Sequence, residues 1–257
     1  MTAYDRLFQA ASCVLPHRLL YDVMSAGVSG VGVLRELARV YRPGLSARLD
    51  FAVNSGRYVL QDDIRLNPQT GRWRQRVDWY GQESAVACHR AGQAIICCFL
   101  HDGIHTCLRY LMRSIGVQAW GFAREAPDSR RGTSKHEYVF TGKDLAKLRR
   151  HLANGGWSSL AIDLHDQKPV TVTTVSGPVR FASGAFRLAQ ATGARVVAID
   201  TAITRGWRIR AELMEPVTVE TPADIPAAAT KVANFYAHRL ASPTYRKTGH
   251  GRYCLGA

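Results

Sequence analysis

Two histidines, an aspartate and a threonine fall within six positions, as His101, Asp102, His105 and Thr106. An imidazole titrates near neutrality, so it can take a proton from a hydroxyl or amine as that group attacks, and it can return the proton to a leaving group. A carboxylate beside the ring orients it and stabilises its charged form. Asp102 is adjacent to His101, and one helical turn would bring His105 onto the same face. Thr106 can hold a hydrogen bond but supplies no charge. Each residue also has a structural reading: a satisfied buried histidine for His101, a helix N-cap for Asp102 and ordinary packing for Thr106.

The elements around this cluster set its position. Ala94 to Leu100 is a short apolar run rich in Ile, Cys and Phe, which predicts a buried strand. Asp102-Gly103 marks a turn, after which Leu108, Leu111, Met112 and Ile115 recur at spacings of three and four, so an amphipathic helix follows. His101 is thereby placed at the carboxyl end of a strand, where open α/β sheets bind ligands. Along the rest of the chain, strands are predicted at Arg74 to Trp79, Gln118 to Ala123, Trp157 to Leu164, Val170 to Val175, Arg195 to Ile199 and Arg208 to Met214. Helices are predicted at Glu83 to Arg90, Asp144 to Ala153, Gly184 to Thr192 and Ala223 to Leu240. This alternation predicts an α/β fold, a mixed and mostly parallel sheet flanked by helices. Residues 1–257 are expected to form a single domain, with a helical N-terminal region over 1–70 and an α/β core over 71–257.

A chain of 257 residues that is 46% hydrophobic can bury one large core. No run reaches the roughly 18 apolar residues of a membrane span, and residues 12–34 come closest only to an interfacial helix. A cytoplasmic location is expected, with peripheral contact to the inner face of a membrane left open. Lys and Arg number 34 against 20 Asp and Glu, a net charge of +14 that favours an acidic partner. Arginines cluster at Arg72-Trp73-Arg74-Gln75-Arg76, Arg130-Arg131 and Arg149-Arg150. No common nucleic-acid-binding motif accompanies them, so no nucleic-acid partner is expected. The six cysteines lack paired CxxC spacing, which argues against structural zinc and a disulfide framework; no metal is expected.

The order of motifs resembles the lysophospholipid acyltransferase superfamily and, within it, the bacterial lipid A biosynthesis (lauroyl or myristoyl) acyltransferases. That family carries an H-x4-D/E motif after a strand, and His101-Asp102-Gly103-Ile104-His105-Thr106 matches it except that Thr106 replaces the carboxylate. A strand ending in arginine matches Gly121-Phe122-Ala123-Arg124, and an acidic residue after a strand matches Asp166-Gln167. Ser176-Gly177, Ser183 to Ala189 and Thr192 to Val197 resemble the segment that follows. The similarity covers roughly residues 70 to 250.

The resemblance implies an acyltransferase of the same fold. It would move an acyl group from an acyl carrier protein or coenzyme A thioester to a hydroxyl or amine of a small-molecule or lipid acceptor. His101 would be the general base, with Asp102, His105 or Thr106 beside it. Backbone N–H groups around Gly103 and Ile104 would face the oxyanion. Gly103, Arg124, Arg131 and Asp166 are the candidate substrate-binding residues, the arginines through charge-assisted hydrogen bonds to phosphate or pantetheine. No cofactor is implied beyond the thioester co-substrate. The alternative is a catalytically degenerate member of the same fold that serves as a binding or scaffold protein, as Thr106 in place of a carboxylate suggests.

Overall fold

The run Ile95–Phe99 forms a strand buried along nearly its whole length because parallel neighbours lie on both edges and helices cover the sheet. The computed structural model describes Ile64 and residues 72–101, 105–122, 139–140, 144–175, 177–204, 208–246 and 248–255. Of the helical N-terminal region expected over 1–70, only Ile64 is among the described residues, within a helix. No described helix is long and apolar enough to cross a membrane.

The chain falls into two compact units, Met1–Asp78 with Ala202–Arg210, and Trp79–Thr201 with Ala211–Ala257. In the first, Arg72–Arg76 is a 3-10 turn rather than the start of a strand, with Trp73 fully buried. The Arg208 guanidinium there pairs with the Asp78 carboxylate through Nε at 2.7 Å and through Nη2.

The strands are β1 (Val77–Tyr80), β2 (Ile95–Phe99), β3 (Ala119–Phe122), β4 (Val139–Phe140), β5 (Trp157–Ala161), β6 (Val170–Thr174), β7 (Gly177–Phe181), β8 (Arg195–Ile203) and β9 (Ile209–Leu213). Seven form one sheet in the order β1-β9-β8-β2-β5-β3-β4, and β6 and β7 form a separate antiparallel pair. The pairings of β2 with β5 and β8, and of β3 with β4 and β5, are all parallel. The fold is therefore α/β, with a mostly parallel mixed sheet flanked by helices.

Those helices are α1 (Gln82–Arg90), α2 (Leu108–Ser114), α3 (Leu145–Ala153), α4 (Gly184–Thr192) and α5 (Ile225–Phe235), followed by the short α6 (Ala237–Leu240), α7 (Pro243–Arg246) and α8 (Gly249–Leu255). Ile96, Cys98 and Leu100 share a core with Leu148 and Leu152 of α3, Phe186 and Ala189 of α4, and Val232 and Ala233 of α5. Ile95 and Cys97, alternating with them along the strand, are buried too. Gly193 ends α4 in the left-handed region at φ 68°, where a residue without Cβ bears no steric cost.

Several elements differ from the sequence expectation: β8 runs on to Ile203, β4 and β7 are not among the expected strands, and further differences bear on the site. The strand predicted to run to Leu164 stops at Ala161, which frees Asp163 from the sheet. The helix predicted over Ala223 to Leu240 breaks at Tyr236, whose hydroxyl is shared between the carbonyls of Ile199 at 2.6 Å and Cys98 at 3.0 Å. That buried tether ties α5 to β2 and β8 and outweighs continuing the helical pattern. Helices α7 and α8 have no counterpart in the prediction, because four- and seven-residue helices holding Pro243, Gly249 and Gly251 present no readable period.

Candidate active site

Two adjacent parallel strands deliver the central pair. Phe99 of β2 lies abreast of Ala161 of β5, and the ladder continues one step further through Ile162 N–H to Phe99 carbonyl at 3.1 Å. Two positions past each strand end, His101 and Asp163 emerge side by side. Parallel register thus brings together residues 62 positions apart, at the sheet end where ligands of such folds bind.

The Asp163 carboxylate grips His101 twice. Its Oδ2 accepts from the His101 backbone N–H at 2.7 Å, and its Oδ1 lies 2.6 Å from His101 Nδ1. The Asp163 side chain is 0% exposed and that of His101 is 23% exposed, so the acid is sealed while the ring keeps an edge toward solvent. Burial pushes the Asp163 carboxyl up, but the hydrogen bond and charge of His101, its backbone N–H and the Tyr245 hydroxyl outweigh burial and hold it below the ordinary carboxylate range. An ionised carboxylate only accepts, so Nδ1 carries the ring proton and Nε2 of the neutral ring presents its lone pair; this tautomer is assigned from the bond. The arrangement suits a general base acting through Nε2.

The C-terminal helices close the site. Tyr245 on α7 donates to Asp163 Oδ2 at 3.0 Å, and its oxygen lies 3.7 Å from Cys254 Sγ on α8. Burial raises the Tyr245 hydroxyl far above its ordinary value and pushes the Cys254 thiol up to about 12, so both stay protonated near neutrality. His250, also on α8, bonds the Asp163 carbonyl through Nδ1 at 3.1 Å and stacks on His101 with ring centroids 4.2 Å apart and planes 12° apart. On another side Phe99 meets His101 edge-on at 5.7 Å and stacks on His105 at 5.8 Å.

Donor atoms of His101, Asp163 and His250 lie within 4.8 Å of one another. A metal must lie in the plane of each ligating ring, and two stacked, nearly parallel rings do not aim their lone pairs at one point. Both Nδ1 atoms are moreover committed to Asp163. The donor set is better suited to holding protons than to holding an ion.

Of the residues singled out in the sequence, His101 sits at the centre. The His105 ring is edge-on to it with centroids 5.1 Å apart, but the group on Nδ1 is Asp163. Thr106 lies in a 3-10 turn, His105–Cys107, and its side chain is outside the described residues, as are Asp102, Gly103, Arg124 and Arg131. Asp166 is occupied by its own chain: Oδ2 accepts from Ser183 N–H at 2.7 Å and Ser183 Oγ at 2.8 Å, and Oδ1 from Lys168 N–H at 3.0 Å. Burial opposes ionisation there, and these bonds with the nearby Arg187 charge overcome it and lower the Asp166 pKa.

Sequence reasoning missed Asp163, Tyr245 and His250. Asp163 did carry a signal, being the one charged residue inside the apolar stretch Trp157 to Leu164, where a buried acid requires a partner. Compared with family models and with curated proteins, the chain matches none.

Proposed function

We propose that this protein is an acyltransferase of the lysophospholipid acyltransferase type, with His101 as general base and Asp163 as the carboxylate that orients it. The donor is a thioester of acyl carrier protein or coenzyme A, and the acceptor is a hydroxyl or amine. His101 Nε2 takes the acceptor proton as the acceptor heteroatom bonds to the thioester carbonyl carbon. The tetrahedral adduct then collapses with cleavage of the C–S bond, and the departing sulfur receives the proton from His101. Asp163 holds the tautomer and balances the imidazolium charge throughout.

The observation that carries this reading is the bond between His101 Nδ1 and the sealed Asp163 carboxylate at the carboxyl ends of two neighbouring strands. Asp163, just past the end of β5, supplies the charge that Thr106 lacks in the resemblance to the H-x4-D/E motif. The motif order from His101 to Asp166 gives the acyl-transfer chemistry its place in this reading, and the net charge of +14 suits an acidic carrier protein or phosphorylated donor. An acceptor that is soluble, or reached at a membrane surface from the cytoplasm, fits a chain whose described helices do not span a bilayer.

The test mixes purified protein with acyl carrier protein or coenzyme A thioesters and a panel of alcohols and amines, following free thiol release and acylated product by mass. Acceptor-dependent thiol release that falls by about 10²–10⁴-fold in His101→Ala supports the reading. Tight carrier binding without turnover would instead make the chain a binding protein of this fold, and turnover untouched by His101→Ala would remove the base.

A further inference from the structure

Apart from the His101 cluster, the second unit carries a cavity of about 550 Å³ beside α3, α4 and α5. Arg149 of α3, Lys168 of the loop entering β6 and Arg187 of α4 line it, together with Gln190. No acidic residue is among its lining residues. Apart from Ser183 the rest of the wall is apolar, with Val170 and Ile225 flanked by three prolines and Ala191. A volume in the range of small-ligand pockets, mostly apolar and with a few convergent polar groups, is the form of an organic-ligand site.

The charges define the ligand. Among the described residues, no ion pair engages Arg149, Lys168 or Arg187. Three cations facing one concavity repel one another and focus a positive potential into it, which an anion relieves. Asp166, on which the Arg187 charge acts, does not neutralise the three cations by direct pairing, because its oxygens are already taken by Ser183 and the Lys168 backbone. Two guanidinium forks and an ammonium, all able to donate to oxyanions, match a phosphate group better than a single carboxylate. The apolar wall then accommodates an organic body attached to it.

We propose that this cavity binds an organic phosphate, a phosphate monoester or diester whose apolar portion lies against Val170 and Ile225. It is a site separate from the His101–Asp163 pair, though coupled to it by the chain: Ser183 on the cavity wall is bonded to Asp166, three residues beyond Asp163 and so within roughly 11 Å of it along the backbone. The site does not depend on acyl transfer. A phosphorylated thiol such as pantetheine phosphate and the headgroup of an anionic lipid share the required chemistry.

Calorimetric titration with 4′-phosphopantetheine and with unphosphorylated pantetheine separates phosphate recognition from general binding, and co-sedimentation with phosphatidic acid vesicles tests the lipid source. The proposal expects the phosphorylated thiol or the vesicle to bind, with Arg149→Gln, Lys168→Gln and Arg187→Gln each weakening it by about tenfold, while melting temperatures hold. Binding should weaken with added salt, and His101→Ala should leave it unchanged, which keeps this result independent of the catalytic reading. Soluble binding alone identifies a free phosphate ester and vesicle binding alone a headgroup. Equal binding of pantetheine with and without phosphate, no binding of either probe at millimolar concentration, or three variants that bind as wild type would each overturn it.

Discussion

Tyr245 donates its hydroxyl to Oδ2 of Asp163 at 3.0 Å across 82 positions of sequence. The same oxygen accepts the His101 backbone N–H, so one carboxylate oxygen joins the strand end to the C-terminal helices while the other holds the imidazole. Asp163 is thus both the orienting group of the candidate base and a cross-link of the fold. Its substitution should therefore affect activity and stability together.

Asp163→Asn retains the shape but removes the charge, and its amide places a donor where donors already converge. Breaking a buried charge pair in this way should destabilise the protein by about 3–5 kcal/mol and lower single-turnover acyl transfer by several orders of magnitude. Urea denaturation alongside single-turnover thiol release checks both. A variant as stable as wild type would show that the pair contributes nothing net to the fold.

Tyr245→Phe removes one of the donors on Oδ2 and leaves the His101 bonds in place. A cost of about 1–3 kcal/mol is expected for the buried acceptor it leaves, with a far smaller loss of turnover than Asp163→Asn causes. Activity losses of equal size in the two variants would assign Tyr245 to the reaction itself.

The pH dependence follows from the lowered Asp163 pKa. A carboxylate held below its ordinary value of 3.8 stabilises the native state fully above that value, because folding then favours the ionised form. The contribution fades as pH falls through 3.8 toward the lower folded value, where the native carboxylate also takes up its proton. Urea midpoints measured from pH 6 down to pH 3 should converge for wild type and Asp163→Asn, since the remaining acids are common to both. Parallel curves down to pH 3 would contradict it.

Periodicity located the elements that place His101: the apolar run of β2, the amphipathic α2 and the alternation that makes the sheet parallel all follow local rules. The partner of His101 was not legible, because a register between β2 and β5 is a non-local fact. Asp163 lay inside a run whose apolar character extended the predicted strand past its end, hiding the residue as strand interior. Tyr245 and His250 lie on helices too short to show a period, and their role exists only once the chain returns over the sheet end. Asp166 stands out in the sequence by its position after a strand, but its use is local: it ties the N-cap residue Ser183 to the preceding loop.

That local role is separable. Asp166→Ala strips two bonds from Ser183 and one from Lys168, and should cost about 1–3 kcal/mol, the range for leaving a buried polar group without its partner. Ser183→Ala keeps the backbone N–H bond and should cost less. Thermal unfolding of the two variants gives the ranking, and the reverse order would place the stabilisation in the serine hydroxyl.

Gly251 tests whether the C-terminal helices belong to the site. It is buried within α8, and a Cβ there would land on the carbonyl oxygen of Tyr245, a backbone atom that cannot rotate away. Gly251→Ala should therefore push α7 and α8 apart, pulling Tyr245 from Asp163 and His250 from the face of His101. The expected result is a loss of about 1–3 kcal/mol, as for other overpacked sites, together with a fall in turnover at least as large as that of Tyr245→Phe. Gly184→Ala is the matched control, since a Cβ at the start of α4 meets nothing within 4 Å and its backbone is ordinary helix; it should be neutral or stabilising by up to about 1 kcal/mol. Wild-type melting and turnover in Gly251→Ala would mean that α8 does not hold the site together.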